Sequence, residues 1–173
     1  NRYGLSPEDH QSYRYFIEDT LFKHINIEKQ NTLVLDRLVK NPNEYGKIYD
    51  KMIEEQGGID IQILGIGRNG HIAFNEPDEE LVLSTHLTDL TKDTIEANSR
   101  FFDSIDKVPT KAITMGLGTI MKAKKIILMA NGKNKAEVMG ELLKGDKVTT
   151  RLPASLLLLH PDVTVIMDKG TAL

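Results

Sequence analysis

The chain has 173 residues, with 22 Lys and Arg set against 25 Asp and Glu, for a formal net charge of −3. A hydrophobic fraction of 40% beside 27% charged residues is that of a globular chain with a sizeable core. So small an acidic excess implies no polyanionic partner, no apolar stretch is long enough to cross a membrane as a helix, and the lack of cysteine removes disulfides and thiolate metal sites.

The N-terminal stretch 1–5 reads as a loop without a signal-peptide pattern. Ser6 offers a capping hydroxyl, Pro7 suits a first helical position, and Glu8 and Asp9 favour the positive end of a helix, so a helix is expected from there. Tyr13, Phe16, Ile17, Thr20, Leu21 and His24 fall on one of its faces. The apolar run 33–35 is a candidate strand. Pro42 opens a second helix with Tyr45, Ile48, Tyr49, Met52 and Ile53 on one stripe, and Gly57 and Gly58 stop it.

The run 61–66, rich in β-branched residues and bounded by glycines, predicts a buried strand. Asp78, Glu79 and Glu80 read as a solvated acidic turn, and the half-alternating stretch 81–87 as a further candidate strand. A helix is expected over 93–102 and a strand over 111–115, after which Gly116 to Thr119 open a short helix. Residues 125–130 predict a buried strand ending at Asn131 and Gly132, then a helix carrying Val138, Met139, Leu142 and Leu143 that Gly145 ends. Pro153 begins a short apolar helix, His160 and Pro161 stop it, and 163–167 is the last strand. This alternation predicts one α/β domain over 1–173, a three-layer, mostly parallel Rossmann-like sheet with helices on both faces.

The chemistry gathers at 61–77, IQILGIGRNGHIAFNEP. Gly65, Gly67 and Gly70 let the backbone turn sharply and approach a ligand, and Arg68, Asn69, His71, Asn75 and Glu76 follow at once. In open α/β sheets ligands bind at the C-terminal ends of strands, where this loop emerges. The glycine spacing also fits a dinucleotide fingerprint, but that needs a helix opening at the third glycine, and Pro77 arrives before one could run far. His71, with an ordinary pKa near ~6.5, can move protons both ways at neutral pH. Glu76 can orient the imidazole and favour its cation, and Asn69 can orient but not relay charge. The plainer alternatives are a structural histidine and a surface glutamate. His10, His24, His86 and His160 lack such a setting and read as structural or surface groups. Lys135 stands at the start of a helix after a strand, where an anion is favoured, and Arg100 carries a planar fork suited to phosphate; either alone is more often a surface base. Met115, Met121, Met129 and Met139 read as apolar fillers.

The string Gly-Arg-Asn-Gly-His-Ile-Ala-Phe-Asn-Glu-Pro at 67–77 resembles the signature of the glucosamine/galactosamine-6-phosphate isomerase family, and within it the deaminases. Lactonase relatives share the Gly-His core without the trailing Asn-Glu-Pro. Gln11-Ser12-Tyr13, the Ser-Arg-Phe-Phe stretch at 99–102 and the context of Lys135 add to the likeness, which runs from Gly4 to about Asp168. The resemblance implies a sugar-phosphate isomerase/CoA-transferase-like fold and the conversion of D-glucosamine 6-phosphate to D-fructose 6-phosphate and ammonia. It implies His71, Glu76 and Asn69 as the catalytic set, with Gly65, Gly67, Arg100 and Lys135 binding the sugar phosphate. No metal or organic cofactor is called for, no nucleic acid or membrane partner is implied, and the expected state is a cytoplasmic monomer or homo-oligomer.

The family's enolising aspartate would align just before Asn1, and its first phosphate loop further upstream. The chain therefore reads as lacking an N-terminal portion and is expected to be inactive by itself. Regulated members place basic side chains where His86, Thr88 and Asp89 stand here, so an unregulated enzyme is expected. The alternatives are a 6-phosphogluconolactonase and a non-catalytic sugar-phosphate effector module.

Overall fold

The computed structural model describes residues 10, 12–36, 38–99 and 102–172. The helix start expected at Ser6 and Pro7 lies outside them. The first described helix, α1 (Tyr13–Thr20), opens at Ser12, whose backbone is extended and whose side-chain oxygen accepts the Tyr15 N–H at 2.9 Å. His24 falls beyond it in a 3-10 turn, Phe22–His24.

The run 33–35 is not a strand. Leu33 is more than half exposed, and the donors just beyond it turn to side chains: the Asp36 N–H to Tyr45 Oη at 3.2 Å, the Leu38 N–H to Asp36 Oδ1 at 3.0 Å. Helix α2 (Pro42–Glu55) follows as expected. Gly57 and Gly58, both at positive φ, donate back to Glu54 and Ile53 carbonyls and satisfy the helix end.

Strands β1 (Ile61–Gly65), β4 (Lys125–Ala130) and β5 (Val163–Met167) form a parallel sheet in the order β1-β4-β5. Strands β2 (His86–Asp89) and β3 (Lys111–Thr114) form a separate antiparallel pair. Only the end of the expected strand 81–87 joins that pair. The Val82 and Leu83 carbonyls instead accept the first N–H groups of helix α4 (Leu117–Met121), from Leu117 at 3.1 Å and Gly118 at 2.9 Å. A helix start leaves its first donors without internal partners, and this loop supplies acceptors for two of them.

The core lies on one face of the parallel sheet. Leu64, Ile126 and Leu128 pack there with Ile120 of α4, with Val138, Met139 and Leu142 of helix α5 (Ala136–Lys144), and with Leu157 of the 3-10 helix Pro153–Leu159. Among the described residues the opposite face is open: Ile63 is 62% exposed, and Ile61, Met129 and Ile166 about half. In register, Gly65 of β1 stands beside Met129 of β4. The loops leaving those two strands therefore emerge side by side at the sheet's C-terminal edge, and they build the site.

Helix α2 holds the antiparallel pair. Asn43 Oδ1 accepts the Leu87 N–H at 2.8 Å, and Asp50 accepts the Thr85 N–H at 2.7 Å and the Thr119 hydroxyl at 2.8 Å. Gly46 lies between them, so close to the strand that an added Cβ would stand 1.9 Å from the Thr85 carbonyl oxygen. Gly46→Ala is therefore expected to lower the unfolding free energy by about 1–3 kcal/mol in urea titrations followed by circular dichroism, although alanine is the better helix former.

Candidate active site

Beyond β1 the chain makes a tight, glycine-dependent bend. The Gly67 N–H donates to the His71 carbonyl at 2.8 Å, the Gly70 N–H to the Gly67 carbonyl at 3.1 Å, and Gly70 adopts φ 81°. The bend is pinned from outside by the Ala154 N–H on the Gly70 carbonyl at 2.9 Å. Gly67 leaves the space that the imidazole fills, since a Cβ there would lie 2.4 Å from His71 Cε1 and Nδ1. A second tight turn, with Ala73 at φ 55° and the Asn75 N–H on the Ile72 carbonyl, reverses the chain. Asn75 locks this turn by donating its amide to the Ile72 and Met115 carbonyls, and Glu76 folds back onto His71.

Glu76 is 9% exposed and accepts three hydrogen-bond donors. Oε2 lies 3.1 Å from His71 Nδ1 and accepts Asn69 Nδ2 at 2.7 Å, while Oε1 accepts the Thr94 hydroxyl at 2.6 Å. Burial alone would raise its pKa. The hydrogen bond and charge of His71, with the Thr94 and Asn69 bonds, outweigh burial and hold it at about 2, against an ordinary 4.5. Glu76 is thus an anion across the working pH range. With Nδ1 hydrogen-bonded to that anion, Nε2 is the ring nitrogen left to take and return a proton.

A cavity of about 550 Å³ opens against His71. Arg68, Thr94 and Asn98 line it, together with Asn131, Asn134 and Lys135. Thr94 and Asn98 belong to helix α3 (Lys92–Ser99), whose start is also tied to the glycine bend by an Arg68–Asp93 ion pair. Lys135 ends a 3-10 turn that leads directly into α5. The turn's entry at Gly132 (φ 90°) is braced by Asp168, which accepts the Gly132 N–H at 3.0 Å and the Thr171 hydroxyl at 2.7 Å.

Of the residues expected from sequence, His71, Gly67 and Lys135 border the cavity, while Asn69 and Glu76 stand behind His71 and hold it. Gly65 does not border it. It is the last residue of β1, and a Cβ there would meet nothing within 4 Å, so no close approach explains this glycine. Arg100 lies outside the described residues; Asn98 carries helix α3 to the cavity wall. Thr94 was not singled out from sequence, because a threonine in the first turn of a helix carries no sign of what it will touch. Asn131 and Asn134 escaped for the same reason.

The remaining histidines stay apart from the cavity. His160 is buried and structural: Nε2 meets the Ala123 carbonyl at 2.7 Å and Nδ1 accepts the Asp162 N–H at 3.1 Å. His86 meets the Ser84 carbonyl at 2.8 Å and, with Thr88 and Asp89, lines a second cavity of about 420 Å³ in whose wall no Lys or Arg stands among the described residues.

Residues 4–166 match the family model described as glucosamine-6-phosphate isomerases/6-phosphogluconolactonase. The chain belongs to that family. It is 60% identical over 169 residues to a glucosamine-6-phosphate deaminase of Clostridium beijerinckii, covering 98% of this chain and 69% of the relative. A glucosamine-6-phosphate deaminase of Thermoanaerobacter pseudethanolicus is 56% identical, with 98% and 66% covered. The fold superposes with a TM-score of 0.95 on a solved monomeric glucosamine-6-phosphate deaminase, 42% identical over 99% of this chain and 70% of that one. A 6-phosphogluconolactonase from Trypanosoma cruzi shares the fold, with a TM-score of 0.72 at 19% identity and coverage of 97% and 67%.

The depressed pKa of Glu76 has a consequence for stability. Its contribution is fully present above about 4.5 and is lost as pH falls toward about 2. Glu76→Gln is expected to be less stable than the unsubstituted chain at neutral pH by roughly 1–3 kcal/mol. That gap should close between pH 4.5 and 2 in urea unfolding at stepped pH.

Proposed function

We propose that the protein carrying this chain converts D-glucosamine 6-phosphate and water to D-fructose 6-phosphate and ammonia. The observation that carries this reading is the His71–Glu76 pair, whose imidazole borders a cavity that Lys135 also lines. The deaminases that match most of the chain support it. A binding module without turnover would need the anion ligands but not a buried carboxylate aligned on an imidazole.

The geometry supports a role for each residue. Opening the pyranose ring takes a proton from the C1 hydroxyl and returns one to the ring oxygen, and His71 Nε2 can do both in turn. Glu76 keeps the ring in the tautomer with Nδ1 protonated and stabilises the cation formed midway. Asn69 spends its amide on Glu76, which fixes the carboxylate rather than the substrate. Lys135, at the head of α5, is placed for the phosphate, with Arg100 as the second ligand implied by the resemblance. Phosphate binding then positions the reacting end of the sugar. The C2 proton must pass to C1 through a second base, to give an enolamine and then an imine, and water breaks the C–N bond to release ammonia. The resemblance assigns that base to no position of this sequence, so assays call for the protein carrying the chain.

His71→Gln is expected to lower kcat for ammonia release by about 10²–10⁴-fold with KM little changed. Lys135→Ala should instead raise KM and weaken inhibition by inorganic phosphate. Ammonia release unaffected by His71→Gln would overturn the assignment, and lactone hydrolysis in its place would identify a lactonase. The second cavity, walled by Asp78, Glu80 and Asp89 and without Lys or Arg among the described residues, is poorly suited to a phosphorylated effector. Saturation curves are accordingly expected to be hyperbolic and unmoved by N-acetylglucosamine 6-phosphate.

A further inference from the structure

Thr94 is a polar residue that the roles above leave without a task. It is 2% exposed, its hydroxyl donates to Glu76 Oε1 at 2.6 Å, and the same oxygen lies 3.5 Å from His71 Nδ1. The direction of the bond is set from behind, because the Thr91 hydroxyl donates to Thr94 Oγ1 at 3.1 Å. A hydroxyl has one proton to give, and with a donor at its back that proton goes to the carboxylate. Thr91 also accepts the Thr94 N–H at 3.3 Å, so the pair of hydroxyls is part of the start of helix α3. Asn69 and His71 both address Oε2, which leaves Thr94 as the side-chain donor described on Oε1.

We propose that Thr94 is a positioning residue: it holds Glu76 in register with His71 and ties the acid–base pair to the helix that carries Asn98 to the cavity. The inference rests on the reading of His71 and Glu76 as the proton-moving pair. Its physical content is competition for one charge. A carboxylate that already holds the Thr94 proton donor binds the imidazolium less tightly than one whose Oε1 is bare. Thr94 therefore limits how firmly His71 keeps its proton and so helps it to give that proton back. Among the described residues the other charged groups lining the cavity are Arg68 and Asp93, which pair with each other, and Lys135. Arg68 and Asp93 satisfy each other, so removing the Thr94 hydroxyl leaves that pair in place.

The test is the titration of the His71 imidazole, followed by NMR in histidine-labelled protein and assigned with His71→Gln. Thr94→Val, which keeps the shape and loses the hydroxyl, is expected to raise the His71 midpoint by about half a pH unit or more. Thr94→Ser should restore it, and the pH profile of kcat/KM should move in the same direction. An unmoved midpoint in folded Thr94→Val, whatever happens to its melting temperature, would overturn the proposal and leave Thr94 as packing alone. If the valine variant does not fold, Thr94→Cys, a weaker donor of similar size, gives the same reading with a smaller rise. Because the titration needs no turnover, failure of this inference is distinct from an absence of ammonia release.

Discussion

A carboxylate removed from water must be given hydrogen-bond donors or it will take a proton and lose its charge. Glu76 meets this demand with donors from different parts of the chain: Asn69 and His71 from the glycine bend, and Thr94 from helix α3. Each of these groups is in turn held by its surroundings. The Asn69 side-chain oxygen accepts the His71 N–H at 3.3 Å, and Thr94 is backed by Thr91. The buried charge is thus the point through which loop and helix are fixed relative to each other. The imidazole orientation, and with it the chemistry available at the cavity wall, depends on that point.

The parallel sheet decides where this arrangement opens to solvent. Because β1 and β4 pair in register and run the same way, the glycine bend and the Gly132 turn leave the sheet together. One brings the His71 imidazole and the other brings Lys135, and both line one cavity. The C-terminal residues contribute from behind. Asp168 holds its carboxyl below the usual range by accepting from the Thr171 side chain and backbone and from the Gly132 backbone, and in doing so it steadies the turn ahead of Lys135. The antiparallel pair β2–β3 stands apart from the parallel sheet. Its tie to helix α2 through Asn43, Gly46 and Asp50 is a matter of fold rather than of chemistry.

Two expectations from sequence gave way to tertiary context. The run 33–35 has the composition of a strand, yet the backbone beyond it turns to Tyr45 Oη and the Asp36 carboxylate in place of a ladder. The stretch 81–87 alternates like a strand, but the carbonyls of Val82 and Leu83 serve the start of α4. Alternation reports which side chains are to be buried; it does not report which polar backbone groups elsewhere lack partners. Gly65 shows the same limit at the scale of one residue. It shares a motif with Gly67, but only Gly67 makes room for a ring.

The sequence by itself determined the order of strands and helices from Pro42 on (the stretch 81–85 apart), the glycine bend at the end of β1, and the identity of His71 and Glu76 as a pair. These follow from local patterns: apolar periodicity, the conformational freedom of glycine, and residues close enough in sequence for one turn to join them. Only the tertiary structure decided that Thr94 completes the coordination of Glu76, that Lys135 and His71 line one cavity, and that Gly65 does not. Those outcomes depend on how separate elements dock. Docking is governed by the packing of apolar faces and by the need to satisfy every buried donor and acceptor at once, a condition that belongs to the whole fold and that no local stretch encodes.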